Sequence, residues 1–395
     1  MRRDSAPWLS EIAGGWSRAE PGELSRAHAE ARASRADAVD LITASGHDHG
    51  LVFPREIIEQ VTVDALRRAE SVHRYAPDPL GQPAAREAIA GFYRRRGAGA
   101  HPDGIALTPG TSLAYLYTFR LLAGAGHEIL VPSPGYPLFD DIAALAGLQL
   151  RRYYLRETDS GWRPDLDEIA FQLTPRTRAL VIISPHNPTG TVWSHGDLDA
   201  LRMVCPDLPL VFDEVFSETI APPLEALPRP QGFPLCITLN GFSKMLALPG
   251  WKFGWMKIDG EPERTGPFLR ALTHLADTFL PVPELQQAMI PGLIAAADPA
   301  VSRALAAEVA RRRSLAVDLL SPRAHRPQGG VYLCPRLPEG VDDDDFALRL
   351  AQEHAVFVHP GHYYGLPRHA VLTCLATPGS LRDGLDRFNR AVRSA

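Results

Sequence analysis

The chain is short of cysteine, of uninterrupted apolar runs and of any excess of positive charge, and each shortage excludes a class of protein. Four cysteines are spread over 395 residues, at positions 205, 236, 334 and 374. They form neither a CxxC metal clip nor the dense framework of a small secreted domain, so reduced, mostly buried thiols are expected. No stretch approaches the roughly 18 apolar residues that suggest a membrane span. The opening MRRDSAPWLSEIAGG has two arginines, then Asp4 and Glu11 where a secretory leader requires unbroken apolar sequence. A cytoplasmic protein is expected. Lys and Arg number 41 against 46 Asp and Glu, a net charge of −5 with a pI of about 6.3. Nucleic acid and anionic membrane both demand clustered excess cations, so neither is expected as a partner, and a small molecule is.

What is present suits a folded protein of two or three domains, with 45% hydrophobic and 22% charged residues. There is no internal repeat. Prolines cluster at Pro222 to Pro234 and at Pro281 to Pro283, marking loops and a hinge. Between about residues 80 and 260 helical and strand-like stretches alternate: PAAREAIAGFYRRRG, IALT, SLAYLYTFRLLAG, EILVPS, then ALVIIS, LPLVFDE, CITLNGF and GWKFGWMKI. Apolar strands bounded by Pro, Gly and Asn and separated by helices predict a doubly wound α/β domain with a mostly parallel sheet and helices on both faces. After Pro283 one long Ala, Leu and Arg-rich segment, Leu285 to Leu320, is interrupted near Pro299 and leads into a smaller α+β unit. The acidic run Asp342 to Asp345 precedes a helical stretch, where carboxylates cap free amides. No metal site is expected from it, nor from the His47 and His49 pair, which has no third ligand in a defined place.

Three segments carry chemistry: SPHNPTG at Ser184 to Gly190, FDEVF at Phe212 to Phe216, and NGFSKMLALPGWKFGW at Asn240 to Trp255. Strand ends bearing Asn, Asp and Lys suit a flat heteroaromatic cofactor. Aspartate pairs with a ring nitrogen, asparagine donates to a ring oxygen, and lysine condenses with an aldehyde. Taken singly, NPTG is a turn and a lone lysine is a surface charge.

Taken together, and with YAPDPLGQPAAREAIAGFYRRRG from Tyr75, TPGTSLA from Thr108, VPSPGYPLFD from Val131, QGGVYLCP from Gln328 and VFVHPGHYYG from Val356, the chain resembles the fold-type I pyridoxal-phosphate enzymes, in their class I/II aminotransferase-like group. The resemblance implies a mostly parallel, seven-stranded sheet. It further implies an N-terminal segment 1–48 that contributes to a small domain, a large cofactor-binding domain 49–284, and a linking helix with the C-terminal small domain, 285–395. It gives Lys244 the Schiff base with pyridoxal 5'-phosphate and the proton transfer at the substrate Cα, Asp213 the pyridine nitrogen, Asn187 the ring oxygen and Tyr136 the ring face. Gly110, Thr111 and Ser112, at a strand-to-helix turn, and Ser243 and Lys252 are given to the cofactor, the turn and Lys252 to its phosphate. Tyr75 matches a tyrosine that reaches the neighbouring subunit's phosphate, which implies a homodimer with shared active sites.

Three departures from the family pattern bear on mechanism. Lys252 stands where an arginine is usual, keeping the charge but losing the planar fork. Phe216 replaces a tyrosine that donates to the ring oxygen, which should keep the cofactor imine protonated to higher pH. Leu372 occupies the place of the arginine that binds the substrate carboxylate, and leucine cannot compensate a buried charge. An atypical substrate is expected, with His47, His49, His362 and Arg368 as candidate substrate-binding residues. The leading expectation is an aminotransferase. The alternative is a lyase, cyclase or replacement enzyme on an unusual amino acid, resembling capreomycidine-synthase-like or aminocyclopropane-carboxylate-synthase-like branches. A cofactor-binding transcription regulator is disfavoured, because the first 50 residues are too short and too balanced in charge to form a DNA-binding unit.

Overall fold

Seven apolar segments pair into one sheet, in the spatial order Ile105–Thr108, Gly254–Gly260, Leu235–Gly241, Leu210–Asp213, Thr177–Ile183, Glu128–Ser133 and Gln149–Tyr154. Gly254–Gly260 runs antiparallel to both neighbours. The remaining adjacent pairs are parallel. The central strands are buried along their length except at part-buried Arg178, as expected when helices cover both faces. The structure, a computed structural model, describes residues 10–16, 22–70, 73–220, 227–297 and 301–395.

Local sequence accounts for several element ends. The strand expected across GWKFGWMKI begins only at Gly254, because Pro249–Trp251 forms a 3-10 turn that Lys252 closes in the left-handed region at φ 55°. The Leu285 to Leu320 segment forms two helices, Glu284–Ala296 and Ser302–Leu320. Pro299, part of the Pro222 to Pro234 cluster and most of the opening residues lie outside the described residues. Asp342 caps the helix Asp343–His354, accepting from the amides of Asp344 and Asp345.

Beyond the large sheet, Tyr332–Leu333, Ala370–Thr373 and His359–Pro360 form a three-stranded antiparallel sheet with Ala370–Thr373 in the middle. Val39–Asp40 pairs in parallel with Val356–Phe357, so the N-terminal region is stitched to sequence more than 300 residues away. One apolar core accordingly holds Leu41 and Leu51 together with Val317, Leu350, Leu372 and Leu385. Among the described residues no helix is long and apolar enough to cross a membrane.

The sheet also brings two backbones into contact. A Cβ at Gly254 would lie 2.8 Å from both Cα and C of Gly110, so the turn after Ile105–Thr108 rests directly on the neighbouring strand. Backbone on both sides leaves little room to yield. Gly254→Ala is expected to lower stability by about 1–3 kcal/mol through overpacking. An unchanged urea-unfolding midpoint would contradict that close approach.

Candidate functional site

Four strands of the large sheet deliver their carboxyl ends to one place. Ile105–Thr108 runs into Gly110 and Thr111, Thr177–Ile183 into the SPHNPTG loop, Leu210–Asp213 ends on Asp213, and Leu235–Gly241 runs into Ser243 and Lys244. Open α/β sheets bind ligands in such crevices. Here a cavity of about 250 Å3 is lined by Thr111, Tyr136, Asn187, Asp213, Ser243 and Lys244, with Ile183, Val215, Phe216, Phe253 and Tyr332 as apolar and aromatic walls.

Charge is short of partners in this cavity. Asp213 is 6% exposed, and burial pushes its carboxyl up to about 6, against the opposing effect of hydrogen bonds from the Val215 amide and the Tyr115 phenol. Those bonds measure 3.0 Å to Oδ1 and 2.8 Å to Oδ2, and both come from neutral donors. Lys244 is half-buried as a residue, but its amine end is desolvated, which lowers its pKa to about 8. Its Nζ donates to the Ala44 carbonyl at 2.8 Å and lies 5.8 Å from the centre of the Phe216 ring. Asn187 Oδ1 is buried without a hydrogen-bond partner. The loop carrying it is braced by His186, whose Nδ1 pairs with Thr189 Oγ1 at 2.9 Å and whose pKa burial lowers to about 3, so the ring stays neutral.

Such a donor set fits pyridoxal phosphate. An uncompensated buried carboxylate suits a protonated ring nitrogen, an unpartnered amide oxygen suits a hydrogen-bond donor, and a desolvated amine suits an aldehyde. Gly110, at φ 96°, opens the helix Thr111–Leu122, whose first amides have no intrahelical acceptor and are free for a phosphate dianion. Burial raises the pKa of the Tyr136 phenol, and Ser112 partly offsets that rise.

Other residues singled out in the sequence stand apart from the cavity lining. Lys252 is exposed in its left-handed turn, two residues before the Gly254 that packs on Gly110. Tyr75 is 90% exposed and borders a separate cavity with Arg74, Asp78 and Leu280. His47 is exposed, and His49 is part-buried with its pKa lowered by burial. His362 is held by the carboxylates of Asp343 and Asp344, 3.5 and 3.3 Å from its Nδ1. Arg368 is exposed in a left-handed conformation at φ 60°. Leu372 is fully buried and pairs with Leu333 across the small sheet. Among the described residues lining the cavity, Lys244 is the one basic side chain. No group of three or more His, Cys, Asp or Glu among the described residues is arranged to hold a metal ion.

Tyr115, Phe253 and Tyr332 were not among the candidate residues read from the sequence. Tyr115 carried a usable signal, since it lies four positions after Thr111 and therefore on the same helix face. Tyr332 comes from the small sheet, and only the fold brings it to the cavity.

The aminotransferase class I and II family model matches residues 48–388. The chain is similar to nicotianamine aminotransferase 1 of Oryza sativa subsp. japonica, 29% identical over 84% of this chain and 70% of the relative. It is also similar to an S-alkyl-thiohydroximate lyase of Arabidopsis thaliana, 30% identical over 87% of this chain and 78% of the relative. Among solved structures it is similar to the aspartate aminotransferase of Thermus thermophilus with maleate, with a TM-score of 0.83 and 27% identity over 97% of this chain and 99% of that one.

The lowered amine pKa gives a direct test. The chain has three lysines, Lys244, Lys252 and Lys257, so peptide mapping separates them cleanly. In cofactor-free protein, trace acylation of Lys244 should reach half its maximal rate near pH 8, where the amine loses its proton. Half-reaction near the ordinary lysine value of about 10.4 would show that the amine is solvated.

Proposed function

Because the chain belongs to the class I and II aminotransferase family, and is therefore a fold-type I enzyme that uses pyridoxal phosphate, we propose that it transfers an amino group between an amino donor and a carbonyl acceptor at the cavity that holds Lys244. The observation that carries this reading is the convergence of a desolvated amine, an uncompensated carboxylate and an unpartnered amide oxygen on one cavity. When bound, the cofactor supplies an aldehyde and an electron-withdrawing ring that stabilises negative charge on the carbon beside the substrate nitrogen.

The chain's own residues do the rest. Lys244 would bind the aldehyde and, as a free amine, would take the proton from substrate Cα and deliver it to the former aldehyde carbon, on the other side of the substrate nitrogen. A pKa of about 8 leaves a useful fraction unprotonated near neutrality. Asp213 holds the positive charge at the ring nitrogen, Asn187 donates to the ring oxygen, and Tyr136 covers one ring face. The amides of Gly110, Thr111 and Ser112 bind the phosphate, with Ser243 beside them and Lys252 adding charge. Phe216, Val215 and Tyr332 exclude water from the reacting carbon.

The substrate is atypical in this reading. Leu372 contributes no cation, so the carboxylate grip expected from the family is missing, and His47, His49, His362 and Arg368 are candidate contacts through rearrangement of the mouth. A homodimer with shared sites, Tyr75 reaching the neighbouring phosphate, is supported by the 90% exposure of that side chain. A cytoplasmic location is supported by four cysteines standing as free thiols. The second reading, a lyase, cyclase or replacement enzyme, is favoured by the similarity to a protein named as a lyase and by the same missing cation.

Two outcomes are expected. Borohydride reduction of the loaded enzyme followed by peptide mapping should label Lys244, and incubation with a panel of amino acids should leave the cofactor in its amine form. Label elsewhere removes the site, whereas released keto acid and ammonia with no amine form selects the lyase. Second, Phe216→Tyr restores a donor to the ring oxygen, so the colour change of the loaded enzyme on titration should move roughly one pH unit lower. An identical titration midpoint in both proteins means that another group already fills that role.

A further inference from the structure

Asp213 is held by a side chain to which the proposed chemistry gives no part. Tyr115 is 1% exposed within the helix Thr111–Leu122, and its phenol donates to Asp213 Oδ2 at 2.8 Å. The Val215 amide donates to Oδ1 at 3.0 Å. Tyr115 follows Thr111 by four positions, so both project from one face of the helix. One rigid element therefore carries the turn proposed for the phosphate and, one turn further on, the donor to the carboxylate proposed for the ring nitrogen.

The Tyr115 ring has little freedom. It packs edge-on against Phe139, with centroids 5.2 Å apart at 83°, and against Phe119 at 5.8 Å. Phe139 in turn stands edge-on to Tyr136, which lines the cavity, at 5.5 Å and 89°. The aromatic ladder fixes where the phenol oxygen sits, and the phenol oxygen fixes the carboxylate. Both Asp213 oxygens already accept a hydrogen bond, so a proton added to the carboxyl has to displace one of them or point into the cavity. The like charge at Glu214 is tied to Arg229 and Asn240.

We infer that Tyr115 is a positioning residue whose hydroxyl orients Asp213 toward the cofactor's ring nitrogen and holds that carboxylate in its ionised form. The inference rests on the proposed pairing of Asp213 with the ring nitrogen, and the test separates the two. Tyr115→Phe removes one oxygen and keeps the ring packing. Dissociation constants are measured for pyridoxal phosphate and for deazapyridoxal phosphate, which carries a carbon in place of the ring nitrogen, by quenching of tryptophan fluorescence. Wild-type protein should prefer the nitrogen-containing ligand. In Tyr115→Phe the affinity for pyridoxal phosphate should fall about tenfold, while that for the deaza compound stays within about twofold. Equal loss for both ligands, with or without a changed near-ultraviolet circular dichroism, would reduce Tyr115 to a packing residue and overturn the inference. An unchanged preference would do the same. If wild-type protein binds the two ligands alike, the Asp213 assignment fails, and this inference fails with it.

Discussion

Lys244 and Asp213 meet at one cavity with no ion-pair partner among the described residues, and desolvation moves both toward their neutral forms. Removing a charge from water without pairing it costs several kcal/mol, so a fold tolerates this only where the rest of the structure is rigid enough to hold the groups in place. A ligand that brings a cationic ring nitrogen and an aldehyde satisfies both at once. The family's cofactor has that chemistry, and the cavity is best understood as half of a complementary pair.

The rigidity has identifiable sources. Behind Asp213, the Glu214 carboxylate accepts from Asn240 at 3.1 Å and pairs with Arg229 at 3.1 Å, while Arg96 pairs with Glu218 at 3.3 Å, all among buried side chains. Buried ion pairs add little net stability, but they allow few alternative arrangements. Asn240 immediately precedes the turn to Lys244, so this network ties the carboxylate-bearing strand to the lysine-bearing one. In front, the backbone contact of Gly254 with Gly110 fixes the turn at the head of the helix that carries Tyr115. Thus the groups around the cavity are set relative to one another by backbone, sheet pairing and short polar contacts, with little left to surface loops.

Much of this was legible in the sequence, for physical reasons that differ between residues. The parallel sheet was readable because strands buried on both faces are continuous apolar runs, as in ALVIIS and CITLNGF. Lys244, Asp213 and Asn187 were readable because each directly follows or ends such a run, where the fold presents polar residues to a crevice. Tyr332 was not, because its sheet is assembled from pieces of chain far apart, and the helical offset of Tyr115 from Thr111 was outweighed by its place inside an apolar helix, where a tyrosine reads as core. Lys252 illustrates the opposite difficulty. Its offset from Lys244 was readable, but the left-handed turn that sets its exposed side chain was not.

The mouth of the cavity is built by the same kind of long-range assembly. Two buried arginines of the helix Ser302–Leu320 bind main-chain carbonyls of other elements, and Arg312 also pairs with Glu308. Arg313 binds Thr219 and Gly330 at 3.0 and 2.8 Å, and Arg312 binds His49 at 3.0 Å. These cations tie the stretch around Ala44 to His49 and the loop before Tyr332 to the helix Ser302–Leu320, and so fix the shape of the opening. The lining sets aromatic and apolar surface from Phe216, Tyr332 and Val215 beside the Lys244 amine and the Asp213 carboxylate. Phe216 and Tyr332, edge to face at 6.0 Å, make one wall of that lining.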